Sequence, residues 1–145
     1  MGFGAMKFKD ADMAFNAYKT LETLGLPIYV QEYLENPRRD VRVFVIGGKV
    51  VGAIQRIAAK GNWKANIALG NKPKQLKISG ELERLAIKAT KTLGLVYAGV
   101  DILKTKNAPV ILEVNGSPSW QGLRKVSGVN VAELLVKHAI SLVKR

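Results

Sequence analysis

The fold is decided by Ala98-Gly99-Val100-Asp101-Ile102-Leu103 together with Leu112-Glu113-Val114-Asn115-Gly116-Ser117-Pro118. Val96 to Lys104 and Val110 to Asn115 read as paired strands around a turn at Thr105 to Ala108. With the turn centred near Asn107, six residues from each, Asp101 lies opposite Glu113. Glu113 and Asn115 are two apart on one strand, so they share a face. Directly opposed side chains in such a ladder stand about 5 Å apart at Cβ, where two carboxylates repel unless positive charge lies between them. Three convergent oxygen donors suit a hard cation such as Mg²⁺, which takes one or two carboxylates and completes its shell with water and phosphate oxygens. The alternative is a solvated hairpin face with two ordinary acids, and spacing alone weighs the two evenly. Two points favour the cation: Ile111 falls on the Glu113 and Asn115 face, implying partial burial, and acids are scarce, 11 against 23 Lys and Arg.

Upstream, Val41 to Ile46 and Lys49 to Ile57 read as strands joined by Gly47-Gly48, a strong two-residue hairpin signal. Arg42 alternates with Phe44 and Ile46, and Arg56 with Ile54. An arginine in register with apolar residues either snorkels at the sheet rim or faces an anion. Two on neighbouring strands beside an acidic patch favour a phosphate pocket, since guanidinium forks match phosphate geometry. Ile28 to Leu34 reads as a further strand, broken by Asn36-Pro37. Helices are expected from Asp10 to Leu24, from Ser79 to Gly94, and from Asn130, where Glu133 has capping-box spacing. Ala58 to Lys77 reads as a loop with Gly61, Asn62, Asn66, Gly70, Asn71 and Pro73, of a length common in functional lids. The segment after Pro118 reads as irregular. Tight hairpins dominate, so the class is α+β with a largely antiparallel sheet and packed helices.

Bulk properties exclude several functions. The 145 residues carry no cysteine, which removes disulfides, thiol catalysis and thiolate metal sites. No apolar run approaches the roughly 20 residues of a membrane span, and the glycine-rich start does not resemble a signal peptide, so a cytoplasmic protein without a membrane partner is expected. The net charge of +12 comes from scattered lysines without interleaved aromatics, which disfavours nucleic acid. His138, the only histidine, sits near the apolar stripe of the last helix and reads as packing. Gly2-Phe3-Gly4 is a weak phosphate-loop signal.

Val30-Gln31-Glu32-Tyr33-Leu34, Asp40-Val41-Arg42, Ala53-Ile54-Gln55-Arg56, Asn66 and the two opening segments resemble, in order and spacing, the RimK-like ATP-grasp carboxylate–amine ligases over nearly the whole chain. The resemblance implies the C-terminal region of an ATP-grasp fold. Residues 1–34 would then belong to the small ATP-binding subdomain, as the end of its glycine-rich loop, a helix and a hinge strand. Residues 35–145 would form the subdomain with the metal site.

It implies that Asp101, Glu113 and Asn115 hold two Mg²⁺ ions, Mn²⁺ being an alternative. Gly2 and Gly4 would cover phosphates, Gln31, Glu32, Tyr33 and Leu34 contact adenine, Asp40 lie near the nucleotide, and Arg42 lie near the nucleotide or a substrate carboxylate. Arg56 and Asn66 would approach the γ-phosphate and acyl phosphate as the catalytic pair. The implied partners are ATP, a carboxylate acceptor and an amino acid, glutamate by preference; a homo-oligomer stays open. In this family an N-terminal domain and a lysine-bearing strand precede the glycine loop. Their counterparts are not found here, so the chain alone is expected to turn over little. The rival expectation is a non-catalytic ATP-grasp remnant that serves as a binding or oligomerisation module.

Overall fold

The structure is a computed structural model that describes residues 4–35, 39–58 and 73–143. They divide into two compact units, Met1–Glu35 and Asn36–Arg145.

The first unit holds α1 (Ala11–Thr23), capped by the Asp10 carboxylate, which accepts from the Met13 N–H at 2.8 Å. None of its residues is buried. The strand expected over Ile28 to Leu34 does not form; residues 26–35 have no regular structure. Its composition favours extension, but a strand needs a neighbour for its backbone groups, and no described strand pairs with it. Tyr29 and Val30 are accordingly 85% and 77% exposed.

The second unit is built on a five-stranded antiparallel sheet in the order β3-β2-β1-β4-β5. The strands are β1 (Arg39–Ile46), β2 (Lys49–Ile57), β3 (Pro73–Gln75), β4 (Tyr97–Lys104) and β5 (Pro109–Asn115). Gly47 and Gly48 close the first hairpin with φ of 56° and 75°, the sign that a two-residue primed turn needs at both positions. His138 packs over that turn: a Cβ on Gly47 would lie 2.4 Å from its ring. Thr105 organises the second turn, its hydroxyl accepting from Asn107 and Ala108 and donating to the Ala108 carbonyl. The short β3 lies within the expected loop and pairs with β2; residues 59–72 of that loop, with Gly61, Asn62, Asn66, Gly70 and Asn71, lie outside the described residues.

Both faces of the sheet are covered. Val41, Val43, Val45, Ala53, Val100 and Ile102 pack under Leu82 and Ala86 of α2 (Gly80–Thr92). Phe44, Ile46 and Ile54 pack under Leu123 of α3 (Gln121–Ser127) and Val131 of α4 (Val131–Val143). This double burial explains why β1 is nearly continuously apolar instead of alternating. Helix α3 falls where irregular chain was expected. Gly122, Ser127 and Gly128 mask it, and only Leu123 and Val126 betray its spacing; it ends at Gly128 in the left-handed region, φ 72°.

Each hairpin carries one extra residue on its second strand. Val45 pairs with Val50 but Phe44 with Gly52, so Val51 is extra; Ile102 pairs with Ile111 but Asp101 with Glu113, so Leu112 is extra. A one-residue bulge changes the face that every later side chain addresses. Ile111 therefore packs into the α2-side core while Glu113 points to the other face, with its side chain 57% exposed. The shared face expected for Ile111 and Glu113, and the burial inferred from it, are corrected by this bulge.

After β5 the chain folds back. The Tyr97 hydroxyl donates to the Pro118 carbonyl at 3.0 Å, and the Tyr97 ring meets Trp120 edge-on at 6.4 Å. Gly99 makes the return fit: a Cβ there would lie 2.6 Å from the Pro118 side chain. Gly99→Ala is predicted to destabilise the fold by about 1–3 kcal/mol through overpacking. In urea titration this lowers the midpoint at constant slope; an unchanged midpoint would show that Pro118 yields freely.

Candidate active site

Past the apolar residues under α3 and α4, the same face of the sheet becomes charged. Asp40 stands opposite Arg56, Arg42 opposite Asp101, and Asp101 opposite Glu113, across four adjacent strands. The two bulges create this arrangement. A regular first hairpin would turn Arg56 away from Arg42, and a regular second one would turn Glu113 away from Asp101.

The charges form one continuous chain. Arg42 forks onto Asp101, with Nε to Oδ1 at 2.6 Å and Nη2 to Oδ2 at 2.7 Å, and the same Nη2 donates to Glu113 Oε1 at 3.2 Å. Arg56 donates from Nη2 to Asp101 Oδ2 at 2.7 Å and from Nε to Asp40 Oδ1 at 2.5 Å. Arg56 and Asp101 are each only 4% exposed. Charge at that depth survives because every member has a partner, and no buried side-chain polar atom among the described residues lacks one.

The two aspartates respond differently. Burial pushes Asp101 up, but the Arg42 bonds and the fields of Arg56 and Arg42 outweigh it and hold the carboxyl below its usual range. For Asp40, burial outweighs the bond and charge of Arg56, and the carboxyl lies above its usual range. Burial works against the Arg56 charge, yet Asp40 and Asp101 overcome it and leave the guanidinium firmly charged.

Asp101, Glu113 and Asn115 offer oxygen only, the chemistry that Mg²⁺ selects. Asp101 accepts three arginine N–H groups, which leaves a single lone pair. Glu113 accepts one, so most of its capacity faces solvent. Asn115 Oδ1 accepts from the Ser117 N–H at 2.9 Å and keeps one further lone pair. The set fits a hard cation carried mainly by Glu113 and Asn115. No group of three or more His, Cys, Asp or Glu suited to a metal occurs among the described residues, so a site built from them draws on the Asn115 amide and on non-protein oxygens.

The other expected site residues fall outside the second unit or outside the described residues. Gln31, Glu32, Tyr33 and Leu34 lie in the irregular end of the first unit, where Lys7 Nζ sits 3.3 Å above the Tyr33 ring. Gly4, in the same unit, has φ 78°. Gly2 and Asn66 lie outside the described residues. What sequence reasoning missed is that Arg42 and Arg56 are bonded to the site's own acids. The signal was Val51, one residue too many between Gly48 and Arg56 for a flat ladder.

Residues 5–139 match the model of the RimK-like ATP-grasp domain. The chain belongs to the RimK-like ATP-grasp family. It is 44% identical over 119 residues to the tetrahydromethanopterin:alpha-L-glutamate ligase of Methanocaldococcus jannaschii, covering 80% of this chain and 40% of that protein. With the enzyme of the same name from Methanococcus maripaludis it shares 40% identity over 134 residues, covering 90% of this chain and 44% of that protein. This RimK-like chain thus spans about two fifths of the length of these two relatives. Among solved structures, the ATP-grasp ligase PsnB in complex with minimal precursor, Mg and ADP superimposes with TM-score 0.70 at 26% identity, covering 98% of this chain and 44% of that one. The D-alanine–D-alanine ligase of Bacillus anthracis complexed with ATP gives TM-score 0.71 at 17% identity over 93% of this chain and 48% of its own, a likeness of fold. The ATP-grasp fold and the family read from the sequence are both borne out, and the family is one that uses ATP and Mg²⁺.

Two predictions follow from the ion chain. Arg56→Met leaves buried Asp101 and Asp40 without a shared counter-charge and is expected to cost about 3–5 kcal/mol, measured by chemical unfolding; a loss near zero would mean the pair relaxes into water. The second concerns acid. Asp101, depressed in the fold, contributes stability that is present above its ordinary pKa and lost as pH falls through its folded value. Asp40, raised, contributes stability present below its ordinary value and lost as pH rises through its folded one. The two oppose each other on either side of the ordinary aspartate value of about 3.9. Asp40→Asn should therefore make stability rise more steeply with pH there, as thermal unfolding between pH 3 and 6 (about 3 units around that value) would show; an unaltered slope would contradict it.

Proposed function

We propose that the whole protein is an ATP-dependent carboxylate–amine ligase, with glutamate as the amine. The observation that carries this reading is the opposed pair Asp101 and Glu113 joined through Arg42, in a chain 44% identical to an alpha-L-glutamate ligase. In the reaction, a substrate carboxylate oxygen attacks the γ-phosphorus of ATP and ADP leaves. The amine then attacks the acyl carbon, inorganic phosphate departs, and the amine loses a proton. No protein nucleophile is needed, in keeping with a chain that has no cysteine.

Phosphoryl transfer asks a protein chiefly for positioning and cationic clamps. In this reading Glu113 and Asn115, aided by the last lone pair of Asp101, hold the family's Mg²⁺, one ion or two, with Mn²⁺ as a substitute. When bound, the metal neutralises phosphate charge and orients the transferring group. Arg42, 13% exposed at its side chain, is the cation of the cluster that can turn to a phosphate or substrate carboxylate. Arg56 is too deeply held to reach far and acts by fixing Asp101. Asn66 and the Gly2 and Gly4 loop are assigned to the γ-phosphate, and Gln31 to Leu34 to adenine. Residues 1–34 are read as part of the small ATP-binding subdomain, residues 35–145 as the metal-bearing one, and the cytoplasm as the compartment that supplies ATP.

The three arginine bonds on Asp101 favour one rival: a nucleotide-binding remnant in which the metal ligand has become purely structural. Thermal unfolding separates the two. The ligase reading expects a rise in melting temperature with Mg²⁺ and a non-hydrolysable ATP analogue, lost in Glu113→Ala and without Mg²⁺. The remnant expects a shift indifferent to both. No shift in either protein would count against a nucleotide site in this chain.

A further inference from the structure

The arginines around Asp101 are not equivalent, and the difference bears on when a cation can enter. Arg56 is anchored at both ends of its fork, to Asp40 and to Asp101, with 5% of its side chain exposed. Arg42 reaches from Asp101, 6% exposed, to Glu113, 57% exposed, so one of its partners is buried and the other lies at the surface. Its own side chain is 13% exposed, against 5% for Arg56. If Arg42 swings out, Asp101 keeps the 2.7 Å bond from Arg56 and is not left bare. Arg56 has less freedom, because its departure would take the guanidinium from buried Asp40 and one of its three arginine bonds from Asp101.

While Arg42 bridges Asp101 and Glu113, its positive charge sits between the two carboxylates that a divalent cation would share. Like charges at that range repel strongly where water is scarce. An arriving anion offers the fork an equivalent partner, because guanidinium matches carboxylate and phosphate alike.

We propose that Arg42 is a latch on the cation site: it holds Asp101 and Glu113 against divalent metal until a phosphate or carboxylate of the incoming ligand draws it away. This rests on reading Glu113 and Asn115 as cation donors and adds to it a coupling between metal and anion. Such coupling is reciprocal, so whatever the anion does for metal binding the metal does for the anion. Arg42 is in this role a positioning residue, acting through the carboxylates.

The test is Mn²⁺ binding followed by electron paramagnetic resonance of the free ion, on the full chain and without turnover. Arg42→Met should bind Mn²⁺ alone about tenfold more tightly than the parent, within the usual range of coupling between sites. The further gain in Mn²⁺ affinity on adding a non-hydrolysable ATP analogue should be smaller in Arg42→Met than in the parent. Arg42→Lys keeps a charge on Asp101 but cannot fork, and should gain less; it also serves if Arg42→Met fails to fold. Adding Glu113→Gln to either variant should abolish the gain. Equal or weaker Mn²⁺ binding in both arginine variants, with the parent binding normally, overturns the latch and leaves the metal site standing. Absence of Mn²⁺ binding in every protein, even with the analogue, overturns both.

Discussion

Asp101 keeps its negative charge at 4% exposure, and much of the second unit is arranged around making that tolerable. An isolated carboxylate in such a place would take up a proton, since desolvation disfavours the charged form. Three guanidinium hydrogen bonds reverse the balance. Those bonds need Arg42 directly across from Asp101 and Arg56 one strand further on, which requires β1 between β2 and β4 and the first hairpin folded with its extra residue. The ion chain is therefore a register device as well as a site. A slipped strand would separate buried charges from their partners, a heavier penalty than mismatched apolar contacts alone.

The apolar halves of the sheet do a different job. Phe44, Ile46 and Ile54 fix α3 and α4 on the same face as the charges, while the valines of β1 and β4 bind α2 on the other. The helices thereby leave one end of that face free of apolar cover. The Asn115 to Pro118 return, held by Tyr97 and admitted by Gly99, borders it. Structure and chemistry meet at β4: Val100 and Ile102 face one core, and Asp101 between them faces the other side.

Most of the architecture was legible in the chain. The Gly47-Gly48 turn, the Asp10 and Asn130 helix starts and the antiparallel class all follow from local chemistry acting over a few residues. The opposition of Asp101 to Glu113 was also legible, though by a compensation. The turn centres between Lys106 and Asn107, half a residue before the symmetric guess, and the extra Leu112 restores the expected pair. Bulges leave no strong local mark, so the faces of Ile111 and Arg56 could not be read. The strand expected at Ile28 to Leu34 had the right composition but no described partner, and pairing is not a local property. Helix α3 was hidden because glycine and serine raise the local cost of a helix that tertiary packing of Leu123 then overrides. In the site, residue types and faces pointed to the chemistry, but the engagement of both arginines by the site's own acids emerges only when four strands are laid side by side.

The paired bulges also constrain how the family can vary in length. In each hairpin the turn sets which residues pair beside it, and the extra residue is absorbed as an unpaired position farther along the second strand. Losing Leu112 would leave a regular ladder in which Ile111 still meets Ile102 and Glu113 still meets Asp101. Losing one residue from the Thr105 to Ala108 turn, with the bulge intact, would slide every pair of the hairpin instead. The fold therefore tolerates a length change at the bulge but not in the turn, and what it must preserve is the facing of Asp101 and Glu113, not the number of residues between them.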